Sequence, residues 1–225
     1  MTRSSRRHTS RTRRTAVTAG TACIAAVAAL GLVGCSGDRL GAALVIEDRV
    51  VTTDELQSAA RDYLEIVPGA DAGDAQLSIL QRRIVSEIIE EVAQDVGVRV
   101  GAGEVARERD DVLESVGSRR QLVTALAQAQ TPTVLAPEDI DSWVRDRLLF
   151  NEIAADICSC ELDQVDPSVS QQALTRANDL LREKSATMDI EVSPRYGAWD
   201  PDQGITPLVS GGLSQTVDEL RDGGS

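Results

Sequence analysis

The reactive-looking pair in this sequence is Cys158-Ser159-Cys160, two thiols one residue apart. In an oxidising compartment two such neighbours tend to join. A C-x-C disulfide closes a very small ring, which strains the bond and makes it easy to reduce. Two readings follow: a redox-active or isomerase-like pair, or a local staple at the end of a helix predicted over 137–157. A metal site would need two further ligands, and histidine cannot supply them, because the only one in the chain is His8. Its position near the N-terminus also leaves the rest of the chain without imidazole for base catalysis or mixed Cys/His zinc sites. Carboxylate pairs such as Glu90-Glu91 and Asp110-Asp111 are abundant. At helical spacing adjacent residues point to different azimuths, and these read as solvated faces. Gly101 and Gly103 form G-x-G after a short extended piece, but no third glycine follows at dinucleotide-binding spacing. Lys184 is the only lysine. No catalytic residue, metal or cofactor is expected.

A third cysteine, Cys35, has a different setting. Residues 1–34 carry six arginines (Arg3, Arg6, Arg7, Arg11, Arg13 and Arg14) and no acid, and Ala16 to Val33 is uncharged and rich in Ala, Val, Leu and Ile. This is the layout of a secretory signal and is set aside from fold reasoning. It ends in Leu32-Val33-Gly34-Cys35, which resembles the lipobox of bacterial lipoproteins. The resemblance implies cleavage between Gly34 and Cys35, acylation of the Cys35 thiol and anchoring to the outer face of the cell membrane by two or three acyl chains, which bind stably where one is marginal. The arginine pairs at 6–7 and 13–14 leave open whether export is by the general or the twin-arginine route.

Charge changes once the signal is removed. The full chain has 23 Lys and Arg against 36 Asp and Glu; without the six arginines of residues 1–34 the balance is 17 against 36, a net charge of −19. Such a chain is repelled by nucleic acid and by anionic headgroups, so membrane attachment is expected through lipid and nucleic-acid binding is not expected. The acids are interspersed with arginines, as on solvated helix faces. Five aromatic residues, Tyr63, Trp143, Phe150, Tyr196 and Trp199, leave a core of Ala, Val, Leu and Ile, which favours helices.

The elements follow from periodicity and caps. Residues 35–43 read as a lipidated tether, 44–46 and 50–51 as short β-branched runs around a turn at 47–49. Thr53 caps a helix to Ile66 that stops near Pro68-Gly69. Asp74 opens the longest helix, to Val96, with Leu77, Leu80, Ile84, Ile88 and Val92 along a wide apolar stripe. Gly97 ends it. Helices are predicted over 104–116, 119–130, 137–157 and 166–185, and a strand over 188–192. Ser193 to Pro201 reads as a structured turn-like segment, with Tyr196 and Trp199 pinning the chain's end to the core. From Gly204 onward Gly, Ser and Asp dominate, and a disordered tail is expected over 204–225.

Four stretches stand in order: the opening A-A-L-V-I-E-D-R-V-V-T-T-D-E-L (Ala42 to Leu56), the step into G-V-R-V (Gly97 to Val100), the helix P-E-D-I-D-S-W-V-R-D-R-L-L-F-N-E-I (Pro137 to Ile153) and the close I-E-V-S-P-R-Y-G-A-W-D-P (Ile190 to Pro201). Their order resembles SurA N-terminal-like domains, which also occur in PrsA-type foldases. The likeness implies a mainly α fold over 44–203, in which a C-terminal strand returns to pair with the N-terminal one and helices fill the space between. Foldases of this family often insert a parvulin-type prolyl isomerase domain. Here too few residues separate Ile157 from Met188 for a domain of about a hundred residues, and parvulin histidines are missing, so isomerase activity is not expected. The resemblance implies a membrane-anchored, extracytoplasmic chaperone-like lipoprotein whose partners are unfolded or newly exported polypeptides. A scaffold docking one envelope partner, and thiol–disulfide exchange through Cys158 and Cys160, are the alternatives. Oligomeric state is not legible.

Overall fold

The computed structural model describes residues 41–206. The expected signal, Gly34, Cys35, the first part of the tether and residues 207–225 lie outside the described residues. Six α-helices and five short strands fill the described part.

The chain begins as a hairpin. β1 (Ala42–Ile46) and β2 (Arg49–Thr52) pair antiparallel around Glu47-Asp48, with Glu47 in the left-handed region at φ 49°. Ala42 and Ala43 therefore belong to the first strand, and the tether expected over 35–43 is shorter by two residues. Thr52, rather than Thr53, caps α1 (Thr53–Ile66): its side chain accepts from the Glu55 N–H, and the Glu55 carboxylate accepts from the Thr52 N–H at 2.7 Å. This reciprocal box satisfies two N–H groups that the first helical turn leaves free. α2 (Ala72–Val96) is capped by Asp71, three residues before Asp74, and the Asp71 side chain accepts from both the Gly73 and Asp74 N–H groups. Gly97 ends it at φ 80°, as its sequence position suggested.

α3 (Ala102–Val116), α4 (Arg119–Ala127), a 3₁₀ turn at Pro137–Asp139 and α5 (Ile140–Cys158) follow. α4 stops short of the expected Gln130. α6 (Pro167–Ser185) starts one residue after the expected 166, with Asp166 as its N-cap. The core is aliphatic: Ile79, Leu80 and Ile84 of α2, Ile140, Val144 and Ile153 of α5, Leu56 of α1 and Leu44 of β1 are almost wholly enclosed. α2 and α5 supply six of these eight residues, which is why the wide apolar stripe read on α2 belongs to a central helix.

β3 (Ile190–Val192) then returns to the hairpin. It pairs antiparallel with β1, giving the order β2-β1-β3, with Leu44 opposite Val192, Val45 opposite Glu191 and Ile46 opposite Ile190. β1 is thus the central strand, and its last four residues are buried. The hairpin turn is tied to the same strand, since Glu47 N–H donates to the Asp189 carbonyl and Asp189 N–H donates to the Glu47 carboxylate. The mainly α fold closed by pairing of N- and C-terminal strands is the one expected. The tail expected over 204–225 is corrected at its start: β4 (Ala198–Asp200) and β5 (Gly204–Thr206) form a second hairpin, so ordered chain continues past Gln203. The misreading came from composition, because Gly204, at φ 79°, is a turn glycine and not the onset of a flexible run.

Candidate functional site

The two sequence-neighbouring cysteines form a disulfide at the C-terminus of α5, with Cα atoms 5.1 Å apart. α5 ends on Cys158, and Ser159 takes the left-handed conformation at φ 50°, ψ 44°. Two reversed hydrogen bonds close the helix: Cys160 N–H donates to the Ala155 carbonyl and Ser159 N–H to the Asp156 carbonyl, both at 3.1 Å. This winding normally uses glycine at the left-handed position. A serine there costs about 1–2 kcal/mol from crowding of its Cβ. The staple reading therefore has a physical basis, since the S–S bond spans the strained residue.

The disulfide also borders a groove of about 910 Å³. Its walls come from α5, the loop after it, α6 and Val98. Val98, Leu162 and Leu174 give it an apolar strip, and each is only partly buried. Glu152, Asp156, Glu161 and Asp163 surround that strip, exposed, and neither Lys nor Arg lines the groove. The two cysteines differ in placement. Cys160 lines the groove, whereas Cys158 packs against the edge of the core. The groove can thus take an apolar segment flanked by positive charge and present one sulfur to it.

A second site was not visible in the sequence. Asp146 of α5 is buried, and its carboxylate accepts from Ser86 Oγ at 2.8 Å and pairs with Arg82 at 3.3 Å. Arg82 also donates to Ser142 Oγ at 2.8 Å, and Arg83 reaches Asp139 at 3.4 Å. Burial pushes the Asp146 carboxyl above the ordinary aspartate value, against the hydrogen bond from Ser86 and the charge of Arg82. The signal was present but weak: Arg82 and Ser86 on one helix, and Ser142 and Asp146 on another, are both i,i+4 pairs that share a face. A recess of about 320 Å³ lies beside this cluster, between β2 and α2. Arg49 crosses its mouth to Glu87, whose carboxyl is pushed up by burial and drawn back by that arginine. The cluster joins α2 to α5 and serves the fold.

The remaining sequence candidates are accounted for on the surface or at the core's edge. Glu90 pairs with Arg145, Glu91 and Asp95 with Lys184, and Asp110 with Arg109. Gly101 is the N-cap of α3. Tyr196 is buried and Trp199 packs on the core, the pinning role expected of them. Among the described residues no group of three His, Cys, Asp or Glu side chains is placed to hold a metal ion, and no helix is long and apolar enough to cross a membrane.

Fold and site together define a mainly helical, strand-closed domain with a disulfide-edged acidic groove. No protein-family model matches the chain, and no curated protein and no solved structure matches it.

Proposed function

We propose that this protein is a lipid-anchored, extracytoplasmic, chaperone-like lipoprotein of the SurA N-terminal-like kind, which holds segments of unfolded or newly exported polypeptides without turnover. The observation that carries this reading is the groove beside α5 and α6, an apolar strip of Val98, Leu162 and Leu174 set among four carboxylates. Pockets that accept polypeptide segments combine apolar contact with a charged rim that selects and steers. The return of β3 to β1, which the resemblance implied, is a further support. Here the rim selects apolar segments flanked by Lys or Arg, in keeping with the net charge of −19 beyond residue 34.

A second reading, docking of one envelope partner, is favoured by one observation. Among the described residues only Val50, Val96 and Val169 are large apolar side chains left exposed, which is little surface for a promiscuous holdase. One experiment tests both readings. The soluble form starting at Ser36 is offered fluorescent apolar peptides with basic or acidic flanks, and assayed for suppressing aggregation of several unrelated unfolded proteins. Salt-sensitive binding of basic-flanked peptides with suppression across clients is the expected result. Peptide binding without suppression supports the single-partner reading, and absence of both overturns the proposal.

A further inference from the structure

We propose that Cys158–Cys160 exchanges its disulfide with a dithiol segment lying in the adjoining groove, transferring one disulfide, two oxidising equivalents, to a bound polypeptide. This inference rests on the groove as a polypeptide site and goes beyond holding. The placement of the pair carries it. The disulfide is half-exposed and not sealed in the core, and it edges the groove of about 910 Å³. Its two sulfurs are unequal, with Cys160 on the groove wall and Cys158 against the core. The residue between them is a non-glycine held at φ 50°, and the ring closed by a single intervening residue is small. Opening the bond releases the small ring, which favours the reduced form and makes the oxidised form a donor.

The step balances as follows. A client thiolate attacks Cys160 Sγ along the S–S axis. The bond to Cys158 breaks and its electron pair leaves on Cys158 Sγ, which takes a proton from solvent. A mixed disulfide now joins the client to Cys160. The client's second thiolate attacks the client sulfur of that bond, expelling Cys160 as a thiolate that is then protonated. The client dithiol is oxidised to a disulfide, and Cys158 and Cys160 are reduced to thiols. No further oxidant is needed for this single transfer.

Charge sets the substrate class. Glu152, Asp156, Glu161 and Asp163 repel an anionic thiolate, so a bare cysteine peptide reacts slowly. Lys or Arg beside the client cysteine offsets that repulsion, and also lowers the thiol pKa so that more thiolate is present. The substrate is therefore an apolar, basic-flanked segment carrying two cysteines.

The test uses the oxidised soluble form and synthetic peptides of matched sequence. Stoichiometric oxidation should run about tenfold faster for basic-flanked than for acidic-flanked dithiol peptides at low salt, and the gap should shrink in high salt. Trapping reads the asymmetry. Offered a peptide disulfide, the Cys158→Ser protein should retain the peptide on Cys160, and the Cys160→Ser protein should retain about tenfold less because of access. The double Cys158→Ser, Cys160→Ser protein should still bind a cysteine-free peptide of the same flanks. If that binding is intact but oxidation is absent, or both single variants trap equally, the pair is only a staple and the exchange is overturned while the groove stands. If the double variant does not bind the peptide, the groove reading fails, and exchange at the groove fails with it.

Discussion

Leu44 of β1 and Val192 of β3 are cross-strand partners although they stand near opposite ends of the described chain. Ile46 and Ile190 repeat the pairing two positions along, so these apolar side chains share a register and line one sheet face. The N-terminal hairpin alone would be marginal. β3 supplies the second backbone partner of β1, and with it the reason Leu44 is almost fully enclosed.

Removing everything after Thr187 should therefore weaken the whole domain and not merely shorten it. β1 would lose an edge of hydrogen bonds and the cover of Ile190 and Val192, for a loss of about 3 kcal/mol or more in urea unfolding at the usual scale for burying two large side chains. In the intact protein, amides of β1 should exchange far more slowly than those of the exposed loop at 128–132. Equal exchange rates, or an unchanged urea midpoint in the truncated chain, would show that the strand pairing is not stabilising.

Asp146 and Arg82 make a different prediction. Their side chains are only 10% and 13% exposed, so solvent screens the pair weakly. Asp146→Ala should cost about 3 kcal/mol, because Arg82 is left buried without its partner, and Arg82→Met added to Asp146→Leu should recover most of that loss. The pH dependence follows from the direction of the shift. Burial holds the folded carboxyl above its ordinary 3.8. As pH rises through that window the unfolded chain releases a proton that the folded protein keeps, so this group makes stability fall with rising pH. Asp146→Asn should flatten the fall. An unchanged or steeper fall of stability with rising pH above 3.8 in the Asn variant would contradict the assignment.

Much of the helical frame was legible because its signals are local. Asp166-Pro167 and Gly97 mark helix ends by rules that need only neighbouring residues. The errors were of two kinds. Some caps were misplaced because several cap-forming residues compete nearby: Thr52 stands beside Thr53, and Asp71 shortly before Asp74, and the winner is whichever side chain meets the free N–H groups. The Arg82–Asp146 pair was missed because it joins residues far apart in the sequence, and periodicity cannot tell a buried carboxylate from the solvated ones around it. The groove likewise depends on how Val98 comes to face α5 and α6, although Cys158 and Cys160 at its edge were evident from spacing alone.

Gly197 is the point where the closing segment tolerates least change. It sits at φ 127°, and a Cβ there would lie 2.3 Å from the Thr206 carbonyl oxygen, a backbone atom. Gly197→Ala should break the pairing of Ala198 with Thr206 and cost about 3 kcal/mol, since both conformation and contact are violated. Trp199 fluorescence should shift toward that of a solvated indole. An unchanged emission maximum with unchanged stability would mean that this hairpin does not pin the chain's end.

The anchor predicts a membrane phenotype. If Cys35 carries the lipid, Cys35→Ser should abolish incorporation of labelled fatty acid, block cleavage after Gly34 and leave a longer precursor. The folded domain should keep its urea midpoint, because the described residues contain no membrane-crossing helix whose loss could disturb it. Normal maturation and labelling of the variant would remove the lipoprotein reading without touching the groove.

Ser159 tests what the disulfide spans. The residue is held at φ 50° by the reversed hydrogen bonds that end α5, and its side chain is exposed. Ser159→Gly relieves a left-handed penalty of about 1–2 kcal/mol. Against this, glycine gives the unfolded chain more freedom, at about 0.5–1 kcal/mol. The net should be a gain of about 0.5–1 kcal/mol, read as a higher urea midpoint in the oxidised protein. The same change should carry over to the reduced protein if the turn persists there, because the relief belongs to the backbone and not to the sulfurs. Should reduction melt the end of α5, the gain would vanish in the reduced form while remaining in the oxidised one. A loss of stability in the oxidised protein would show that Ser159 is not strained in the native turn, and that the bond beside it holds no conformation the chain would otherwise leave.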